Sequence, residues 1–223
     1  MARRQRRDNE KQRREAREKS LQDWTPRTDL GRKVVSGEIS SIQQVIESGK
    51  KILEPEIIDF LIPDLQEEVL AVSSTQRMTA SGRKMAMRVV LIVGNKNGVV
   101  GVGVGKAPET RDAIAEALKD GKKHLAFITL GCGSWECGCG TQHSLVMKVS
   151  GKNSSTEVVI KPAPRGVGLV AGEVAKKVLE AAGVKDAWVF TKGRTRNVLN
   201  MATATVSALE SLNRLKPAPE KSG

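Results

Sequence analysis

An α+β fold built from two small domains is what this sequence predicts, and three observations carry the prediction. Between residues 67 and 107 apolar residues recur at every second position, the period of a half-buried strand, in three runs separated by turn residues. Over 109–125 the spacing changes to three or four, the period of an amphipathic helix. A stretch rich in Cys and Gly, 131–143, then breaks the pattern, after which strand and helix periods return in a different order. The expected succession is β-β-β-α followed by β-β-α-β-α.

The first 20 residues hold nine Lys/Arg and four acids with almost nothing apolar. Such a stretch cannot offset its ordering entropy by burial, so residues 1–23 are expected to form a disordered basic tail suited to threading through RNA. A helical extension is expected over 24–66. Ile39, Ile42 and Ile46 fall three to four apart, Gly49 is a natural stop, and a second apolar segment, EPEIIDFLIP, ends at Pro63.

The first domain is expected over 67–130. Met85, Met87, Val89, Leu91 and Val93 share one face of a strand, and Asn97-Gly98 suits the positive φ of a hairpin turn. Val100, Val102 and Val104 then line one face of the next strand, with Gly101, Gly103 and Gly105 on the other. A glycine face lets a neighbour approach the backbone closely. Pro108 suits the first turn of a helix over 109–125. Its stripe is Ile114, Ala117, Leu118 and Leu125, with Lys119, Lys122 and Lys123 late, where the helix dipole favours cations.

Residues 131–143 read as a linker, and 144–215 as the second domain. Strands at 144–149 and 156–161 flank the turn SGKNSS. A helix over 168–183 carries Val170, Val174 and Val178 on its stripe and stops at Gly183. A strand at 187–190 and a helix over 197–212 follow, the helix presenting Val198, Met201, Thr205, Leu209 and Leu212 on one side. A polar tail, 216–223, ends the chain.

Charge narrows the function. Among 223 residues, 37 Lys+Arg stand against 25 Asp+Glu, a formal net charge of +12, and the pI is about 9.8. An excess of that size favours a polyanion, because each neutralised phosphate releases condensed counterions. Aromatics are only 3% and Tyr is absent, which argues against a binder that stacks single-stranded bases on aromatic rings. Met1–Arg7 is basic with no apolar core behind it, so no secretory signal is expected. The longest apolar runs, such as VVLIV at 89–93, are strand-sized and exclude a membrane-spanning helix. Three cysteines, an odd number, fit a reducing compartment, hence the cytoplasm, and no disulfide framework.

Nucleotide motifs fail on inspection. GVGVGKA (101–107) has Val100 where a phosphate loop needs its first Gly and Ala107 where it needs a hydroxyl. RGVGLVAG (165–172) has the spacing G-x-G-x-x-x-G, and Asp186 does not clearly end a second strand as a ribose-binding acid should. No small-molecule substrate is expected. Only His124 and His143 are available as catalytic bases, and a Cys–His pair within 131–144 has no third orienting group in view, so no catalytic residue and no enzyme is expected.

Two features remain. TASGRKMAMR (79–88) places Ser81, Gly82, Arg83 and Lys84 at a strand–strand tip, with Arg77 and Arg88 flanking, which suits wedging into an RNA groove. Lys96 and Lys106 are further candidate phosphate contacts. In GCGSWECGCGTQHS, Cys132, Cys137, Cys139 and His143 have the spacing C-x4-C-x-C-x3-H. Zinc takes four tetrahedral sulfur or nitrogen ligands, and a glycine-rich loop could wrap it. C-x-C is a tighter pair than the usual C-x-x-C, so a zinc knuckle and a metal-free thiol loop both fit.

GNKNGVVGVGVGKAPE, GCGSWECGCGTQHS and PAPRGVGLVAGEVAKKVLEAAGVKD together resemble the universal S-five family of small-subunit ribosomal proteins, in its archaeal form. The likeness runs from EPEIIDFLIPDLQEEVLAV to ATVSALESL and is weakest over the basic tail. The resemblance implies a first domain like a double-stranded-RNA-binding fold and a second with a left-handed β-α-β crossover, an exception to the usual hand. It also implies binding to small-subunit ribosomal RNA, a place beside mRNA at its entrance, contacts with the S-four, S-eight, S-three and S-two proteins, and an influence on decoding accuracy through S-four. On this likeness the loop Ser81–Lys84 contacts RNA. Pro162, Pro164, Arg165, Gly166 and Gly168 lie at the protein interface on the S-four side.

Overall fold

The computed structural model describes residues 24–39, 41–47 and 51–214. The expected tails over 1–23 and 216–223, and the expected stop at Gly49, lie outside the described residues. The chain divides into two compact units at Leu65.

Among the described residues of the first unit stand three short helices, α1 (Asp29–Val35), α2 (Ile42–Glu47) and α3 (Glu56–Leu61). Thr28 caps α1, its hydroxyl accepting the Gly31 N–H at 3.1 Å. The Glu54 carboxylate accepts the N–H groups of Arg27 and Thr28, at 3.0 and 2.7 Å, and the Trp24 indole N–H at 3.2 Å. Leu30, Val34 and Ile57 form a small buried core, with Trp24, Ile39 and Leu61 against it. Gly37, at φ +81°, turns the chain after α1, so Ile39 packs from ahead of α2 rather than from within it.

The second unit begins with an antiparallel sheet of order β1-β2-β3-β4. Its strands are β1 (Gln66–Thr79), β2 (Gly82–Gly94), β3 (Val99–Ala107) and β4 (Leu125–Phe127), with α4 (Thr110–Lys123) between the last two. The short β4 was not expected, and three residues are too few to show a period. Leu125, assigned from sequence to the helix stripe, instead pairs with Gly101. Val89, Leu91 and Val93 are buried, but so are Val90 and Ile92. Helix α4 covers one face, while Ile92 and Val100 join the larger core on the other.

The buried row of α4 is Ala113, Ala117 and Gly121; Ile114 and Leu118 are only half-buried. Small residues are needed because the glycine face of β3 lies directly beneath. A Cβ on Gly103 would meet the Ala117 carbonyl and the Gly121 amide, and one on Gly105 would meet the Ala113 carbonyl. The neighbour that the glycine face admits is therefore the chain's own helix.

Beyond it, β5 (Leu130–Gly131) pairs with β6 (Ser144–Leu145), and a second sheet runs β7 (Val149–Asn153), β8 (Thr156–Pro162), β10 (Ala187–Gly193), β9 (Leu169–Val170). The expected strand 144–149 is thus split between two sheets. Gly151, read as part of a turn, instead pairs with Val158 within β7, where a side chain would collide with the backbone of Ala204 and Ala208. The turn falls instead at Ser154, whose φ is +53°. Helix α5 (Glu173–Ala182) starts five residues later than expected, since Leu169 and Val170 pair in parallel with Ala187 and Trp188. It ends at Gly183 in the left-handed region, as its sequence demands. Helix α6 (Val198–Glu210) buries Met201, Thr205 and Leu209.

One core joins the two sheets of this unit. Ile92 and Val100 from the first sheet join Ile128, Leu145, Ile160, Leu179 and Leu209. The turn after β2 is tied to the end of α5, with the N–H groups of Lys96 and Gly98 donating to the carbonyls of Ala181 and Ala182, both at 2.9 Å.

Candidate metal centre and candidate nucleic-acid interface

The β5–β6 ribbon closes the ends of the cysteine loop, pairing Gly131 with Ser144 and setting Cys132 beside His143. Gly133 N–H donates to the Leu145 carbonyl at 2.9 Å, and Gly140, at φ +61°, bends the far side back. The Sγ atoms of Cys132, Cys137 and Cys139 and a ring nitrogen of His143 then lie within 4.8 Å of one another. Cys132 Sγ is 3.6 Å from Cys139 Sγ and 3.3 Å from His143 Nε2, and Cys137 Sγ is 3.8 Å from the same nitrogen. A tetrahedral zinc ion with Zn–S near 2.3 Å has S···S edges of about 3.8 Å and slightly shorter S···N edges. These three separations are close to the edges of that tetrahedron.

Sequence reading missed the residue that orients this centre. His143 Nδ1 lies 2.8 Å from Asp186 Oδ2, and both side chains are buried. A carboxylate on Nδ1 requires the proton there and leaves the Nε2 lone pair facing the thiols, the arrangement typical of a metal-binding histidine. The other oxygen of Asp186 accepts the N–H groups of Gly168 at 2.8 Å and Gly166 at 3.1 Å. Burial pushes this carboxyl up, but the Gly168 amide, the imidazole and the Gly166 amide outweigh it and hold it below its usual range. The Thr141 hydroxyl, 3.1 Å away, and then the Thr141 backbone bring the Cys139 thiol down to about 6. Cys132 moves up, through partial burial first and the Cys139 and Cys137 thiols after it. The only sequence signal for Asp186 was an acid directly ahead of an apolar strand.

The basic candidates fall into three places. In β1 and β2, Ser74 pairs with Met87 and Thr79 with Gly82, whereas β3 pairs with β2 only from Met87 onward. Residues 75–86 therefore stand out as a two-stranded arm, roughly 17 Å long at 3.4 Å per residue. Arg77, Ser81, Arg83 and Lys84 are exposed on it, with Gly82 at φ +120° forming the tip. Met78 and Met85 are exposed too, at 73% and 57%, so neither face of the arm is packed against the described residues. Arg88 and Lys106 pair with each other at its base. By strand alternation Arg77, Lys84, Arg88 and Lys106 share one face, with Arg77 directly opposite Lys84. Lys96 lies at the other end of β2, about 40 Å from the tip along the strand, and does not belong to this stripe.

The candidate protein-interface residues follow β8. Pro162 ends that strand, and Pro164, Arg165, Gly166 and Gly168 form the loop leading to β9. Gly166 and Gly168 have φ of +93° and +75°, which directs both amides at Asp186. This loop and the cysteine loop meet around a shallow cleft lined by Thr141, Gln142, His143, Arg165, Gly166, Lys185 and Asp186.

Two family models match the chain: Ribosomal protein S5, N-terminal domain, over residues 65–129, and Ribosomal protein S5, C-terminal domain, over residues 151–222. Curated relatives agree. The small ribosomal subunit protein uS5 of Methanoregula boonei is 52% identical over 194 residues, 87% of this chain and 95% of the relative. That of Ignicoccus hospitalis is 51% identical over 191 residues, covering 86% and 90% of the two chains. That of Methanocaldococcus jannaschii is 52% identical over 194 residues, covering 87% and 89%. With both domain models matched and about half of the aligned residues identical to those of these relatives, the chain belongs to the ribosomal protein S5 family.

Proposed function

We propose that the chain is a non-catalytic, structural constituent of the cytoplasmic small ribosomal subunit and holds ribosomal RNA with the β1–β2 arm. The arm carries this reading. A two-stranded hairpin is marginally stable alone, and here both faces are exposed and like charges oppose each other across the strands, a destabilising arrangement in isolation. A phosphate backbone along Arg77, Lys84, Arg88 and Lys106 relieves that repulsion, and Arg83 with the small residues Ser81 and Gly82 fits a groove. The family supports the finer assignments: a first domain resembling a double-stranded-RNA-binding fold, a place at the mRNA entrance next to S-three and S-four, contacts with S-eight and S-two, and support of decoding accuracy. In this reading the loop from Pro162 to Gly168 faces S-four. Trp135, 92% exposed at the tip of the cysteine loop, packs on a ribosomal neighbour.

Two measurements test it. In a sucrose gradient of cell lysate the chain sediments almost wholly with small subunits; a mainly free pool contradicts the proposal. Replacing Arg83 and Lys84 by Ala lowers the slope of log affinity against log salt for ribosomal RNA by about two phosphate contacts. An unchanged slope removes these residues from the interface.

The cysteine loop is read here as a structural zinc knuckle. Cys132, Cys137, Cys139 and His143 supply a closed set of three sulfurs and one nitrogen, and Asp186 provides the outer carboxylate such sites use. Cys132, His143 and Asp186 alone would resemble a nucleophilic triad, but three thiols converging on one point suit a metal better than a single nucleophile.

A further inference from the structure

We infer that metal occupancy of the cysteine centre sets the conformation of the Pro164–Gly168 loop through the pair His143–Asp186. The inference rests on the zinc reading above and adds what the centre would control. The covalent path from Cys139 to Gly166 crosses the strands β6, β7 and β8, whereas the path through side chains is short. It runs from the ligand nitrogen across the imidazole to Asp186 Oδ2 at 2.8 Å, and from Oδ1 to the amides of Gly168 and Gly166 at 2.8 and 3.1 Å.

The loop depends on that carboxylate. Gly166 and Gly168 both have positive φ, and this is what turns two amides of one short segment toward a single oxygen. It is also tied by a long backbone bond from the Val167 N–H to the Pro164 carbonyl at 3.4 Å and by the Ala187 N–H donating to the Gly168 carbonyl at 3.2 Å. Asp186 in turn is anchored on the metal side. Its backbone N–H donates to the His143 carbonyl at 3.1 Å, and its carbonyl accepts the Ser144 hydroxyl at 2.6 Å. That hydroxyl also accepts the Ala163 N–H at 3.3 Å, one residue ahead of the loop. A cation on Nε2 draws electron density from the ring and strengthens the Nδ1–H donor, which fixes the carboxylate that gathers the two glycine amides. Asp186 is thus a positioning residue between a metal centre and a surface loop.

The test uses the purified full-length chain, Zn²⁺ alone as the probe, and hydrogen exchange at assigned amides. One zinc per chain is expected by elemental analysis, and Cys139→Ser should bind it at least tenfold more weakly. Removing zinc with a chelator should speed exchange at the Gly166 and Gly168 amides at least tenfold and leave the amides of Leu91 and Ile92 in β2 unchanged. Asp186→Asn should weaken zinc affinity by about 10–100-fold and speed the same two amides even with zinc saturating. Absence of bound zinc overturns the zinc reading, and the inference with it. Stoichiometric zinc with no change at Gly166 and Gly168 on its removal overturns the coupling alone.

Discussion

Gly103 and Gly121 have no side chains, and this is why α4 can lie where it does on the first sheet. A methyl at Gly103 would point at the Ala117 carbonyl and the Gly121 amide, backbone atoms of a packed helix that cannot swing aside. Gly103→Ala is expected to cost about 2–3 kcal/mol as overpacking and to lower Tm by roughly 5–10 °C. Gly138→Ala, where no atom lies within 4 Å, should leave Tm unchanged. Thermal melts of both variants decide the matter; equal melts would contradict the close packing. The alternation of Val and Gly in β3 was legible in the sequence, and so was the need for something to press against the glycines. That the helix answers with Ala113, Ala117 and Gly121 was not, because hydrophobic periodicity weights Ile114 and Leu118 above smaller residues. The four candidate sulfur and nitrogen ligands were legible for a different reason: all lie within 12 consecutive residues. Asp186 sits 43 residues beyond His143, and local spacing carries no trace of a partner so distant.

As an element, the β1–β2 arm is separable from the core. Its turn chemistry and basic tip could be read from TASGRKMAMR, but Met85 and Met87 also satisfied the period of a buried face. Met85 is exposed because β3 reaches only to Met87 and, among the described residues, no helix covers the strand beyond it. Replacing residues 75–86 by Asn-Gly, which joins the paired residues Ser74 and Met87, should therefore change stability by less than about 0.5 kcal/mol and Tm by under about 2 °C. The same deletion should abolish most salt-dependent affinity for ribosomal RNA. A large fall in Tm would show that the arm supports the fold, and retained RNA affinity would remove it from the interface. The cysteine loop is the opposite kind of element, closed at its base by only two residue pairs and drawn together at its centre by the thiols and His143.

At the scale of the whole molecule, residues 66–214 are expected to unfold as one body. Ile92 and Val100 of the first sheet share a core with Leu179, Ala182 and Leu209, and the β2–β3 turn is hydrogen-bonded to the end of α5. The sequence separates into two patterns at 131–143, since periodicity shows that each element has a buried face but not which other element fills it. Leu179→Ala should cost about 2–5 kcal/mol and shift a single calorimetric transition of this unit, with calorimetric and van't Hoff enthalpies equal. Two resolved transitions within the unit would contradict a shared core. This rigid body gives the arm a firm base, and the proposed function depends on where the arm's tip lies. Ultraviolet cross-linking of purified small subunits, followed by mass spectrometry of RNA-linked peptides, measures that directly. Ribosomal RNA adducts are expected within residues 77–88 of this chain; adducts confined to residues outside 66–94 would contradict a role for the arm in holding RNA.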